Sequence, residues 1–330
     1  MIGNVIQVVI LSLVVLLSLR KKNTMQGEFA FSRDYTNVLR AFAILLVVMH
    51  HVSNFYDCKY FTPLGGIGVS IFLIVSGFGL NESYKHKGFS SFWGNKIVRV
   101  ILPCWIVISL ASLIKIENFN LYNFMKSLLC VDVNWYVRYL FYWYTIFYFT
   151  TKYLANQRLL IFSLVAGLML IFLPEIEAEQ SFSFLLGVFI SCKTYRGKSL
   201  LFYIEKLKIL FLILGILALL FKQSAFVRSF EGTVYFNIVQ LTMKLSLGLF
   251  FVALIQLIYS RYYSVVINYI GKISYELYLT HCAFLFLLHC FDNSIWSIML
   301  FYAISVLSAI VLYNIDTLIS KKYKKLCQNS

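Results

Sequence analysis

The amino-acid sequence predicts an all-α fold, a polytopic bundle of about eleven transmembrane helices without a sizeable soluble domain. Of its 330 residues, 60% are hydrophobic and only 13% are charged, whereas about 25% of the residues in soluble domains are charged. A soluble core of this size could not bury so much apolar surface, but a bilayer can. Because the chain contains only 3 prolines, most apolar segments can form uninterrupted helices.

A helix needs about 20 apolar residues to cross the hydrocarbon core. We predict spans near residues 2–19, 37–56, 64–80, 97–114, 136–152, 158–174, 181–192, 207–222, 234–259, 264–290 and 294–315. The first span lacks the basic start and the cleavage site of a signal peptide, so we interpret it as a transmembrane helix. We divide the chain into this extra N-terminal transmembrane helix (1–22), one membrane domain (33–315) and a basic cytoplasmic tail (316–330).

The distribution of basic residues between these spans predicts the orientation of the chain. Alternate loops, starting after the first span and including the tail, contain 19 Lys and Arg residues, and the opposite loops contain 5. Because basic loops stay on the cytoplasmic side, we expect a cytoplasmic C-terminus and a short N-terminus outside. The net charge of +15 then reflects topology and contacts with lipid headgroups, and we expect no nucleic-acid partner.

The seven cysteines do not suggest a metal site. None forms a C-x-x-C pair, and most lie in or near apolar spans. We interpret them as small hydrophobic side chains, so neither a metal nor a disulfide framework is expected.

The second predicted span carries a pattern of ionisable residues that is costly at membrane depth and therefore favours a function. Arg40 and His51 are eleven residues apart, which places them on one helix face about 16 Å apart along the axis. His50 points about 80° away from that face. The alternative is that Arg40 extends to the membrane interface and the histidines are packed core residues.

The fourth predicted span begins with a second basic pair. Lys96 and Arg99 are three residues apart and share a helix face at the cytoplasmic end. Together with Arg40 and the positive end of the helix dipole, they could bind phosphate groups. Anchoring at the membrane interface is an equally simple interpretation of this pair alone. Lys244 is a further intramembrane charge, and the sequence suggests no partner for it.

Four blocks of this sequence, in order, resemble acyltransferase family 3, the bacterial inner-membrane O-acyltransferases that modify surface polysaccharides. Arg40 and His51 are similar to the family's Arg-x10-His signature, and residues 71–80 to its phenylalanine-rich block. Residues 96–103 are similar to its Arg-x-x-Arg block, with Lys96 in place of the first Arg, and residues 274–281 to its late Tyr-rich block ending in His. Lys retains the charge but not the bidentate fork of Arg.

This resemblance covers ten of the predicted helices and implies an acyl-CoA-dependent O-acetyltransferase in the bacterial cytoplasmic membrane. The expected donor is acetyl-CoA, and the expected acceptor is a hydroxyl of a cell-surface or lipid-linked sugar. His51 would act as general base, and Arg40, aligned with it on the same helix face, would be the second catalytic residue. Arg40, Lys96 and Arg99 would bind the phosphates of CoA. Further candidates, for the acceptor pocket, are His50, Trp135, Tyr136, Glu276 and His281.

Two other functions fit a many-helix protein with intramembrane charges. A transporter or flippase for a lipid-linked glycan would explain the helices, but neither internal repeats nor Gly/Pro-broken helices are evident. A non-catalytic membrane sensor or partner subunit would leave the arrangement of Arg40 and His51 unexplained.

Overall fold

The computed structural model describes residues 2–22, 31–114, 120–130, 135–192, 194–195, 198–293 and 295–329. It is 88% helical with almost no sheet, so the all-α prediction is confirmed. The helices are α1 (Ile2–Ser18), α2 (Arg33–Phe55), α3 (Thr62–Lys87), α4 (Phe92–Lys96), α5 (Leu102–Ile114), α6 (Leu121–Leu128), α7 (Trp135–Tyr153), α8 (Arg158–Phe172), α9 (Glu175–Ala178), α10 (Ser183–Cys192), α11 (Leu200–Lys206), α12 (Lys208–Gln223), α13 (Ala225–Arg228), α14 (Val234–Arg261), α15 (Val265–Lys272), α16 (Ser274–Thr280) and α17 (Ile295–Asn329).

Extended structure in the described residues is limited to two short antiparallel pairs. Arg20–Lys21 (β1) pairs with Tyr262–Tyr263 (β4), and Thr194–Tyr195 (β2) pairs with Lys198–Ser199 (β3). The first pair joins the chain after α1 to the chain after α14, and thereby attaches the N-terminal helix to the rest of the bundle.

Within the described residues, six helical segments are long and apolar enough to cross a membrane, and they indicate a multi-pass membrane protein. They are Arg33–Phe55, Lys59–Lys87, Phe92–Leu113, Ala155–Phe172, Val234–Arg261 and Ile295–Leu326. The other predicted spans correspond to helices of fewer residues, such as α10 with 10 residues, or to α7, which is rich in tyrosine. Length and composition therefore support six crossings and leave the predicted total of about eleven unestablished.

The predicted span at 264–290 is divided into three segments. Helices α15 and α16 are separated at Ile273, and a 3-10 helix follows over His281–Asn293. The backbone at Gly271 approaches α2 so closely that a side chain there would contact the carbonyl of Asn37. By contrast, α17 continues through most of the predicted tail, because residues 295–329 contain neither glycine nor proline.

Helices α2 and α3 form the centre of the bundle. The hydroxyl oxygen of Ser32 accepts a hydrogen bond from the Tyr35 backbone N–H (3.1 Å) and caps the start of α2. The Tyr35 hydroxyl, fully buried, donates to the carbonyl of Val252 in α14 (2.6 Å). Helix α3 packs against α2, α10 and α14, and most of its central residues are buried. A scaffold of three long helices thus supports the segments around it.

Glycine allows the closest of these helix contacts, between α3 and α10. A Cβ atom at Gly187 would meet the carbonyl of Ile74, and one at Gly77 would meet the carbonyl of Phe184. Small residues let two backbones approach in this way. Gly79, also in α3, has open space around its Cα.

We expect Gly187→Ala to lower the thermal unfolding midpoint of the purified protein, because the added methyl group would separate α3 from α10. Overpacking of this kind costs about 1–3 kcal/mol. Gly79→Ala is the matched control and should leave the midpoint unchanged or slightly higher, since alanine favours a helix over glycine. Equal midpoints for Gly187→Ala and the wild type would contradict the close crossing.

Candidate active site

Two cavities lie toward opposite ends of α2, and most of the predicted site residues line one or the other. The first, of about 460 Å³, contains Arg40. The second, of about 400 Å³, contains His50 and His51. We call them the cationic cavity and the imidazole cavity. A larger cavity of about 760 Å³ near α1 and α15 contains none of the predicted site residues.

The cationic cavity combines the three predicted phosphate ligands. Its described lining has six cationic side chains and two carboxylates, namely Arg40, Lys87, Lys96, Arg99, Lys272 and Lys324 with Glu276 and Asp316. The Lys96 Nζ atom also lies 4.2 Å from the centre of the Tyr144 ring, which lines the same cavity. This cation–π contact holds the ammonium group against the cavity wall. This excess of positive charge suits an anionic ligand.

The backbone that carries Arg99 is locally widened. Residues Ile97–Ile101 form a π-helical turn between α4 and α5. Pro103 follows and has no N–H to donate to the carbonyl of Arg99, so a regular α-helical hydrogen bond cannot form there. Such turns are frequent at functional sites, and this one sets the position of Arg99 at the cavity.

The imidazole cavity is built around the end of α2. His50 and His51 line it together with Trp135 and Tyr278. The Nε2 atom of His50 lies 3.2 Å from the Asn54 Nδ2 atom, and because an amide nitrogen only donates, Nε2 accepts this bond. A Cβ atom at Gly65 would lie 2.7 Å from the His50 ring. Glycine at this position therefore leaves the space that the His50 ring occupies.

The wall opposite the histidines carries a hydrogen-bonded network of paired charges. Lys244 forms a buried ion pair with Glu179. The Lys222 ammonium donates to the Gln240 Oε1 atom (2.5 Å), and the Gln240 Nε2 atom donates to Glu175 (2.6 Å). Two cations therefore balance two carboxylates in the described lining. The sequence did not predict this wall, because its members lie on three separate segments, and Lys244 alone gave no indication of a partner.

Outside α2, the ring that lies next to His51 among the described residues is that of His281. The rings of His51 and His281 are 5.1 Å apart. The His281 Nδ1–H group donates to the carbonyl of Leu277 (2.9 Å), since a carbonyl only accepts. In the described part of the chain, His51 has ring contacts with His50 and His281 and no side-chain hydrogen bond. Its orientation therefore depends on packing against these two rings.

The other residues predicted for the acceptor pocket do not all line the same cavity. Trp135 lines the imidazole cavity, as His50 does. Tyr136 and Glu276 line the cationic cavity instead. Consecutive residues in α7 point about 100° apart, which explains why Trp135 and Tyr136 reach different cavities.

Tyr278 lies in the lining of both cavities. Its ring is 5.1 Å from that of Tyr136 on one side and 6.0 Å from that of His281 on the other. The two cavities are therefore neighbours that share one aromatic side chain.

No metal was expected from the sequence, yet one set of donor atoms is close enough to hold an ion. In the described residues, the imidazoles of His51 and His281 and the thiol of Cys282 bring ligand atoms within 4.8 Å of one another.

We expect Lys244→Met to destabilise the protein by about 3–5 kcal/mol, because it leaves the buried Glu179 carboxylate without its partner. The double variant Lys244→Met/Glu179→Met should recover most of that loss, since it removes both charges. Unfolding midpoints in detergent measure the difference. If the single and double variants were equally unstable, the ion pair would not be the source of the effect.

A family model described as an acyltransferase domain matches residues 33–314. No curated protein matches significantly, and no solved structure does. The matched region covers all the motifs of the cationic and imidazole cavities and leaves out α1. The chain therefore belongs to acyltransferase family 3 and is a membrane acyltransferase.

Proposed function

We propose that this protein transfers an acetyl group from acetyl-CoA to a hydroxyl of a cell-surface or lipid-linked sugar, with His51 as general base. The protein would act in the bacterial cytoplasmic membrane with its C-terminus in the cytoplasm. One observation carries the proposal: a strongly cationic cavity and a cavity lined by His51 lie toward the two ends of α2 and share Tyr278.

The cationic cavity is the proposed site for the phosphates of CoA. Arg40, Lys96 and Arg99 supply charge-assisted hydrogen bonds to phosphate oxygens. The distribution of Lys and Arg along the chain predicts that the basic residues of this cavity lie on the cytoplasmic side of the membrane, where acetyl-CoA is available. The pantetheine arm is long and thin, so it can carry the acetyl group past Tyr278 toward His51, about 16 Å from Arg40 along α2.

The reaction requires one proton to leave the sugar hydroxyl as its oxygen attacks the thioester carbonyl. A neutral His51 accepts that proton, the new C–O bond forms and the C–S bond breaks. The sulfur of CoA leaves as a thiolate and takes the proton from the imidazolium. His281 acts as a positioning residue, because its ring packs against that of His51 and is itself held by the carbonyl of Leu277.

The imidazole cavity is the proposed site for the acceptor. Its wall of Lys244, Glu179, Lys222 and Glu175 offers both hydrogen-bond donors and acceptors, which a ring with several hydroxyl groups requires. The indole of Trp135 can pack against the apolar C–H face of a sugar. Because the charges of this wall balance, it shows no preference for an anion, unlike the cationic cavity.

We expect His51→Ala to lower acetyl transfer by about 10²–10⁴-fold, the usual contribution of a general base. The assay is release of CoA by purified protein supplied with labelled acetyl-CoA and a sugar acceptor. His86→Ala changes an exposed histidine at the end of α3 and serves as the control. Full activity in His51→Ala would exclude the proposed role, and a wild type that releases no CoA would favour the transporter or sensor alternatives.

We expect Arg99→Ala to raise KM for acetyl-CoA by about tenfold, equivalent to about 1.4 kcal/mol, with a smaller change in turnover at saturation. Acetyl-pantetheine, which lacks the nucleotide phosphates, should show the same KM with the variant and the wild type. Lys321→Ala removes an exposed charge outside the cavity lining and is the matched control. An unchanged KM for acetyl-CoA in Arg99→Ala would argue against phosphate binding at this residue.

A further inference from the structure

We propose that His51, His281 and Cys282 form a binding site for a borderline-soft divalent cation of the Zn²⁺ class. The two imidazole nitrogens and the thiol sulfur lie within 4.8 Å of one another. Nitrogen and sulfur donors are the ligands that Zn²⁺ prefers. Three protein ligands leave a fourth position for water, as in open zinc sites.

The hydrogen bonds of His281 prepare its ring to coordinate an ion. Its Nδ1–H group donates to the carbonyl of Leu277 (2.9 Å), so Nε2 carries no proton and accepts a hydrogen bond from the Cys282 thiol (3.3 Å). When the thiol loses its proton to an ion, the Nε2 lone pair becomes available for coordination. A histidine that binds a metal usually donates its other ring N–H to a backbone carbonyl or carboxylate in this way. His281 is fully buried, so its ring has one orientation and Nε2 has one direction.

The distances agree with a tetrahedral ion. The Nε2 atom of His281 lies 3.3 Å from the Cys282 Sγ atom. Zinc bonds of 2.0–2.3 Å place two tetrahedral ligand atoms about 3.5 Å apart. The donor atoms lie up to 4.8 Å apart, about 1.3 Å more than this tetrahedral spacing. The adjustment falls to His51, which is only half-buried and can rotate toward the other two donors.

The imidazole cavity gives an ion a route to the site. His51 lines the imidazole cavity, and the Cys282 side chain is exposed at the surface of the bundle. When the ion binds, the thiol of Cys282 releases its proton and both histidines coordinate as neutral rings.

An ion at this position would inhibit acetyl transfer, and this part of the inference rests on the proposed function. Coordination occupies the His51 lone pair that the sugar proton would otherwise take. Zn²⁺ therefore acts as an inhibitor that competes with the acceptor hydroxyl for the base.

The site can be tested without any enzymatic assay, using Co²⁺ as the probe on the purified full-length protein. We expect a thiolate-to-cobalt charge-transfer band and tetrahedral d–d absorption, both displaced by Zn²⁺. Cys282→Ser should abolish the charge-transfer band, whereas Cys192→Ser, a free cysteine in α10, should leave it intact. Absence of the band in the wild type, or its persistence in Cys282→Ser, would overturn the proposal.

A second measurement needs no variant. Zn²⁺ should slow alkylation of Cys282 by N-ethylmaleimide in the wild type and leave alkylation of Cys192 unchanged, as mass spectrometry of the two peptides would report. Equal rates at Cys282 with and without Zn²⁺ would contradict binding.

A third measurement is the activity assay, in which Zn²⁺ should suppress CoA release by the wild type more than by Cys282→Ser. A wild type that binds Co²⁺ but releases no CoA would refute the proposed function and leave the metal site intact.

Discussion

The eleven-residue interval between Arg40 and His51 on one uninterrupted helix is the constraint on which the candidate site depends. It holds a guanidinium in one cavity and an imidazole in the other, on the same face of α2 and about 16 Å apart. A helix cannot change this separation without breaking backbone hydrogen bonds. The distance between the proposed phosphate site and the proposed base is therefore set by the helix itself.

Close packing around α2 and α3 gives the two cavities their walls. Gly65 leaves room for the ring of His50, and Gly66 does the same for the side chain of Lys244. Two adjacent small residues thus accommodate one polar side chain each at the imidazole cavity. The polar groups that reach this depth are paired, as Lys244 is with Glu179, because an isolated charge would be too costly away from water.

The two cavities differ in the net charge of their linings, which suggests that they bind different ligands. One has six cationic side chains against two carboxylates in its described lining, and the other has equal numbers of each sign. The proposed ligands differ in charge in the same way, because the acyl donor carries anionic phosphates and the acceptor sugar carries hydroxyl groups. The change from α16 to the 3-10 helix falls at His281, and His281 and Cys282 lie next to His51 at this point.

The sequence by itself determined the helical membrane class through its composition, and its motif blocks resembled the family that the family model shows. It also singled out Arg40, His51, Lys96 and Arg99 as candidate site residues, from charge at membrane depth and from spacing within single helices, which are local properties of the chain. Only the tertiary structure decided which residues meet across segments: His281 beside His51, Glu179 beside Lys244, and Tyr278 in both cavities. Helix periodicity sets the direction of a side chain from its own axis, but the packing of distant helices decides what it contacts.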